Sequence, residues 1–230
     1  MKKGFLRIFV MLAILVIALT GTVIWATTHH QRIDVTSLTI TPLKTQQHQL
    51  TNRPQSINIA VRTARVIIKH GRVNRLTLAN VAPQQFAVTT KDNHLTLLQK
   101  SASDHHIELG KTAVITLTVA EPAVFTSMTI HQLNGTLQIN NLTTQRLAID
   151  HVNGTTNADH LTVTAGGHLH KQNGTTTLTH FKTAGLKVSV KTGQFNLNGR
   201  KRAGNNQQAS LPGAHPLTIS SGSGQVRITD

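Results

Sequence analysis

The chain has 230 residues and no cysteine, which excludes disulfides, thiolate metal sites, a cysteine nucleophile and a lipoprotein anchor on cysteine. Lys and Arg number 23 against 8 Asp and Glu, a formal charge of +15, and the 14 His add to it as pH falls from about 7 to 5. Six Phe, one Trp and no Tyr are few for a compact globule, whereas a core stacked from Leu, Ile and Val needs no aromatics.

In chain order, Lys2, Lys3 and Arg7 precede an almost wholly apolar run from Ile8 to Ala26. That run can cross a bilayer as a helix, and Trp25 stands where an interfacial aromatic belongs. The positive flank stays inside, which places the bulk of the chain outside the cell and argues against nucleic acid as the partner. A cleaved signal peptide is the rival reading, but Ile24-Trp25-Ala26 is a poor match to a small-residue cleavage site. An uncleaved anchor over 1–27 is expected, then a linker over 28–53 with one strand at Ser37–Thr41.

Residues 54–122 read as irregular β coils or a cap. Strands are predicted at Ser56–Val61, Ala64–Lys69, Arg75–Ala79, Phe86–Thr90, His94–Leu98 and Ala113–Val119, punctuated by Gly and Pro.

Residues 123–230 carry a repeat. Gly135, Gly154, Gly174 and Gly193 are 19, 20 and 19 residues apart, and Gly224 follows after 31. The longer gap implies an insertion of about twelve residues, which the stretch near 199–213 fits. Seven before each Gly stand Met128, Leu147, Gly167, Leu186 and Leu217; five before stand Ile130, Ile149, Leu169, Val188 and Ile219. Two after stand Leu137, Thr156, Thr176, Phe195 and Val226; four after stand Ile139, Ala158, Leu178, Leu197 and Ile228. Polar residues fill the positions between, so each repeat reads as two short strands around a Gly turn with one face buried. Stacked coils would bury a continuous core and let Asn134, Asn153 and Asn173 share amide hydrogen bonds. An antiparallel meander is the alternative, since Asn-Gly also marks hairpins, but column matching over five repeats favours an all-β, single-stranded parallel β-solenoid.

The order of these segments resembles a bacterial putative-adhesin family of β-solenoid domains of unknown function, found in Gram-positive surface and envelope-stress loci. The resemblance runs over about residues 36–230. It is carried by Ser56-Ile57-Asn58-Ile59, Ala64–Ile68, His94–Leu97, Val114–Val119 with Glu121-Pro122, and the closing Ser221–Ile228. Family members often carry Ser-Gly-Asp at the coil turn where this chain has Asn-Gly-Thr. The family has no established catalytic residues to carry over.

Catalysis is not expected. Polysaccharide-cleaving β-helices use clustered carboxylates, and here only Asp150 and Asp159 lie in the regular coils, in different columns. His131, Asp150 and His170 share an outward column, with His168 on the same face, and read as a polar ladder rather than a metal site; Asp104-His105-His106 reads as a solvated loop. No cofactor is implied. The strongest lead is a basic set: Lys171, Lys182, Lys187, Lys191, Arg200, Lys201 and Arg202. Outside a Gram-positive membrane it would meet teichoic acid, other surface polyanions or lipid headgroups. The expected role is an adhesin-like or envelope-binding domain on a single-pass membrane anchor. The alternative is an accessory or sensory component of an envelope-stress response, working by contact with another envelope protein.

Overall fold

The structure is a computed structural model that describes residues 2–100 and 107–230, with side chains from Leu6 onward. The Asp104-His105-His106 loop named above lies outside the described residues. Among the described residues one helix, α1 (Lys2–Thr28), precedes sixteen strands. Its segment Leu6–Thr28 is 23 residues long, and its most apolar stretch is not buried against the other described residues. The hydroxyls of Thr20 and Thr22 donate to the carbonyls of Val16 and Ala18, four residues back, so these polar groups do not interrupt an apolar surface.

The segment 28–53 contributes three strands where a linker with one strand was expected: β1 (Gln31–Asp34), β2 (Thr39–Pro42) and β3 (Lys44–Gln49). Next come β4 (Ser56–His70), β5 (Arg75–Val81), β6 (Phe86–Lys91), β7 (His94–Gln99), β8 (Glu108–Gly110) and β9 (Ala113–Val119). The long β10 (Val124–Val163) is followed by β11 (Gly167–Thr179), β12 (Lys182–Thr183), β13 (Leu186–Leu197), β14 (Arg200–Ala203), β15 (Gln207–Leu211) and β16 (Leu217–Ile228). The predicted strands at 56–61 and 64–69 are the two arms of β4, bent at a corner.

Each repeat forms one tier, and successive tiers pair in parallel and in register. Met128, Ile130, Leu137 and Ile139 sit over Ile57, Ile59, Val66 and Ile68 of β4. Leu147, Ile149, Thr156 and Ala158 pair with Gly167, Leu169, Thr176 and Leu178 of β11. All the Leu, Ile, Val, Met and Phe side chains of these columns are buried. Burial of each such side chain contributes about 1.5–3 kcal/mol, which favours this register over a one-residue slip that would expose every column. Two tiers precede the regular repeat. One is β4. The other is β7 with β9, which pair in parallel with the first and second arms of β4. A third, shorter ladder closes the tiers: Thr162 and Val163 pair with Lys182 and Thr183 of β12, and Leu142, Leu161 and Phe181 turn inward. A third side was not expected, because three residues carry too little alternation to register as a strand.

The tiers do not stack in chain order. The last strand, β16, lies between β11 and β13, parallel to both. The corner glycines therefore stack as 135, 154, 174, 224, 193. A Cβ on Gly154, where φ is 124°, would lie 1.9 Å from the carbonyl oxygen of Gly135; a Cβ on Gly224 would lie 1.9 Å from that of Gly174. The corner backbones approach too closely for any side chain. Beside them the expected amide ladder forms: Asn173 Nδ2 donates to Asn153 Oδ1 at 2.9 Å, and Asn153 Nδ2 to Asn134 Oδ1 at 3.0 Å.

Both ends of the stack are closed by antiparallel strands. The insertion at 199–213 supplies β14 and β15, which run antiparallel to the two arms of β13. At the other end β5 and β3 continue antiparallel from β9, and β6 pairs with β7. These caps satisfy edges that would otherwise offer free N–H and C=O groups to another chain. The small antiparallel sheet β2-β1-β8 joins α1 to this end. Buried Arg32 fixes it by donating to Asn80 O at 2.7 Å, Gln85 Oε1 at 3.0 Å and Lys111 O at 3.1 Å. The apolar helix and the β14–β15 cap thus stand at opposite ends of the stack.

Candidate functional site

Of the seven basic residues singled out in the sequence, six are exposed and one is not. Lys171 is fully buried and is no part of a contact surface. It stands three before Gly174, so its side chain follows Leu169 inward with the two-residue period of the strand. Its Nζ lies 3.0 Å from His151 Nδ1 and 3.2 Å from Thr156 Oγ1, inside the coil. His151 Nδ1 is also 2.8 Å from Thr156 Oγ1. Burial lowers Lys171 from its ordinary value to about 7. His151 is lowered to about 4, first by burial and second by the neighbouring Lys171 charge. Gln132 below and Ser221 above continue this inward column, which becomes apolar again at Val61 and Val190.

The exposed members gather mainly at one end. Lys187 and Lys191 lie on β13, and Arg200, Lys201 and Arg202 on β14. Arg227, which the sequence reading omitted, joins them: Arg227 of β16 stands opposite Asn196 of β13, which stands opposite Lys201 of β14. Residues 181–230 contain seven Lys and Arg and a single acid, Asp230. Lys182 sits on the short third side, beside an open groove of about 360 Å³ that also touches Leu186, Leu211 and Asp230. The surface is a field of separate cations on a capped strand edge, with grooves of about 380 Å³ beside Lys187 and about 280 Å³ beside Arg202.

Along the outward His column Asp150 reaches His131 and His168, while His170 turns to Ser220. His131 Nδ1 is 3.0 Å from Asp150 Oδ2, His168 Nε2 is 3.8 Å from Asp150 Oδ1, and His170 Nδ1 is 2.7 Å from Ser220 Oγ. At the second corner of the same tiers lies a cluster that the sequence reading missed. His160 Nδ1 is 3.0 Å from Asp159 Oδ2, and His180 Nδ1 is 2.8 Å from Asp159 Oδ1. Thr179 Oγ1 donates to Asp159 Oδ1 at 2.7 Å. Hydrogen bonds from His180, Thr179 and His160 hold the Asp159 carboxyl well below the usual carboxylate range. The signal was present: His160 and His180 are one repeat apart, with an acid adjoining the first.

These features define an all-β protein of stacked, mainly parallel tiers, with one N-terminal helix that has the length and hydropathy of a membrane span or a signal sequence. Its fold is shared with the crystal structure of a putative cell adhesion protein from Clostridium sporogenes, at TM-score 0.63 and 13% identity over 81% of this chain and 99% of that one. Putative adhesins from Bacteroides fragilis and Parabacteroides distasonis align over 81% of this chain and 96% and 97% of theirs, at 11% identity and TM-scores of 0.26 and 0.27. No family model and no curated protein matches the sequence.

Proposed function

We propose that this chain is a single-pass, membrane-anchored parallel β-solenoid whose domain lies outside the cell and binds anionic envelope polymers, in the manner of an adhesin and without catalysis. The observation that carries this reading is the excess of seven cations over one acid in residues 181–230, most of them at the end of the stack opposite the helix. Six steps between seven parallel tiers span roughly 30 Å at about 4.8 Å each. Such a domain carries its charge well beyond the Debye length of about 8 Å from its own bilayer at physiological salt. Its partner is therefore a polymer of the wall or of an opposing surface, such as teichoic acid. Dispersed Lys and Arg on an open face suit flexible phosphate chains, which need neither a pocket nor a fixed bidentate geometry.

The test uses the full-length chain in lipid nanodiscs, sedimented with purified Gram-positive walls before and after removal of their anionic polymers. Retention is expected on intact walls and to fall by about tenfold or more on stripped walls, with the same loss in an Arg200→Glu, Lys201→Glu, Arg202→Glu variant. Equal retention on stripped walls, or by the variant, would reject a polyanion partner.

A further inference from the structure

We propose that Asp159, His160 and His180 form an open binding site for a divalent transition metal of the zinc, nickel or copper type. The inference is independent of the anionic partner proposed above, because none of the three residues belongs to the basic end.

The site is made by the repeat. Asp159 pairs with Thr179 across neighbouring tiers, so the next residues, His160 and His180, turn the same corner one above the other. Both take a left-handed backbone, with φ of 52° and 48°. That shared conformation sends the two imidazoles out in parallel, with ring centroids 4.2 Å apart and planes inclined by 27°. Each presents Nδ1 to a different oxygen of one carboxylate, at 3.0 and 2.8 Å. One ligand atom from each residue lies within 4.8 Å of the other two. Thr179 supports the carboxylate from behind with a 2.7 Å hydrogen bond, the kind of outer contact that orients a ligand.

Two imidazole nitrogens and one carboxylate oxygen make a borderline donor set. It favours zinc, nickel and copper over magnesium and calcium, which prefer oxygen alone. Metal–ligand bonds of about 2.0–2.2 Å require each Nδ1 to stand a few tenths of an ångström further from its carboxylate oxygen than the present 3.0 and 2.8 Å. The change is small for three side chains that are each 45–60% exposed. On coordination each imidazole carries its proton on Nε2, which leaves Nδ1 free to bind. The carboxylate exchanges its two imidazole hydrogen bonds for the metal. Three protein ligands leave at least one position for water or an outside ligand. A locally anionic corner would become cationic.

The neighbouring tier supplies the control. Asn141 occupies the equivalent corner with φ of 56°, so Asn fits this backbone while lacking an imidazole. The experiment is a titration of the full-length chain in detergent with Zn²⁺ against a chromophoric chelator, and with Co²⁺ read by its visible absorption. His160→Asn and His180→Asn are each expected to weaken binding by about tenfold or more and to abolish the matching cobalt band. His131→Asn and His168→Asn, on the other histidine face, are expected to leave that band intact. Unfolding midpoints measured alongside should be unchanged for all four variants. The proposal is overturned if the parent binds no stoichiometric Zn²⁺, or if His160→Asn and His180→Asn bind within about twofold of the parent.

Discussion

Lys171 is the residue at which the sequence reading and the structure part most clearly. Its charge suggested a surface contact, yet its position, two residues beyond the buried Leu169, is inward by simple strand alternation. The alternation is legible in the sequence: Leu169, Lys171 and the inward columns share one two-residue period. A lysine is rarely buried, so its charge points outward where the strand period points inward, in a column that also holds Gln132, His151 and Ser221. Burial has a consequence for stability. Lys171 falls from 10.5 to about 7 in the folded chain, so between those values the unfolded chain holds a proton that the folded chain has released. Stability therefore rises with pH from about 7 toward 10.5. His151, lowered from 6.5 to about 4, adds a second rise over that lower window. Lys171→Met, of similar length and apolar, is expected to stabilise the chain at pH 7 by about 1–3 kcal/mol and to flatten the upper rise. Chemical unfolding at pH 7, 8 and 9.5 checks it. A parent whose stability is level over that range, or a variant with an undiminished slope, would contradict the burial argument.

Among the elements, β16 carries the lesson about what periodicity can and cannot specify. The columns built on Gly135, Gly154, Gly174, Gly193 and Gly224 are borne out in register, corner by corner. Their order is not, because a column pattern is the same however its tiers are permuted. What sets the order is the insertion. Once β14 and β15 cover the outer edge of β13, the chain re-enters between β13 and β11, and β16 pairs on both sides. The same holds at the start, where β4 lies between β10 and the later tier of β7 and β9. The Asp159 cluster was missed for a related reason: its residues sit past the end of the columns, where the apolar pattern stops. A terminal strand ordinarily frays first, but a strand with partners on both edges opens only when the stack does. Amides of Leu217–Ile228 are accordingly expected to exchange hydrogen as slowly as those of β11, and more slowly than those of β14 and β15. Exchange in β16 ahead of the cap strands would refute the inserted position.

For the whole molecule, the useful quantity is the separation between its two ends. The helix joins the stack through the sheet β2-β1-β8, and the cations on β13, β14 and β16 lie on the last two parallel tiers and the strand that caps them. Each tier adds about 4.8 Å, so the repeat acts as a ruler between the apolar helix and the charged end. A basic domain lying flat on its own membrane would be held by anionic headgroups, and its exposed cations would be occupied there. A domain standing away from the membrane by several Debye lengths is indifferent to headgroup charge. The two arrangements differ in one observable. In nanodiscs with neutral lipid or with roughly a third anionic lipid, the full-length chain is expected to bind a soluble polyphosphate polymer with the same affinity at about 0.15 M salt. Raising the salt toward 1 M should weaken that binding in both lipid compositions alike, because the Debye length then falls to about 3 Å. Competition by anionic lipid, seen as weaker polymer binding only in the charged nanodiscs, would mean that the tip reaches its own bilayer. The cations would then serve to dock the domain on its membrane, and the span of the tiers would have no bearing on which partner it meets.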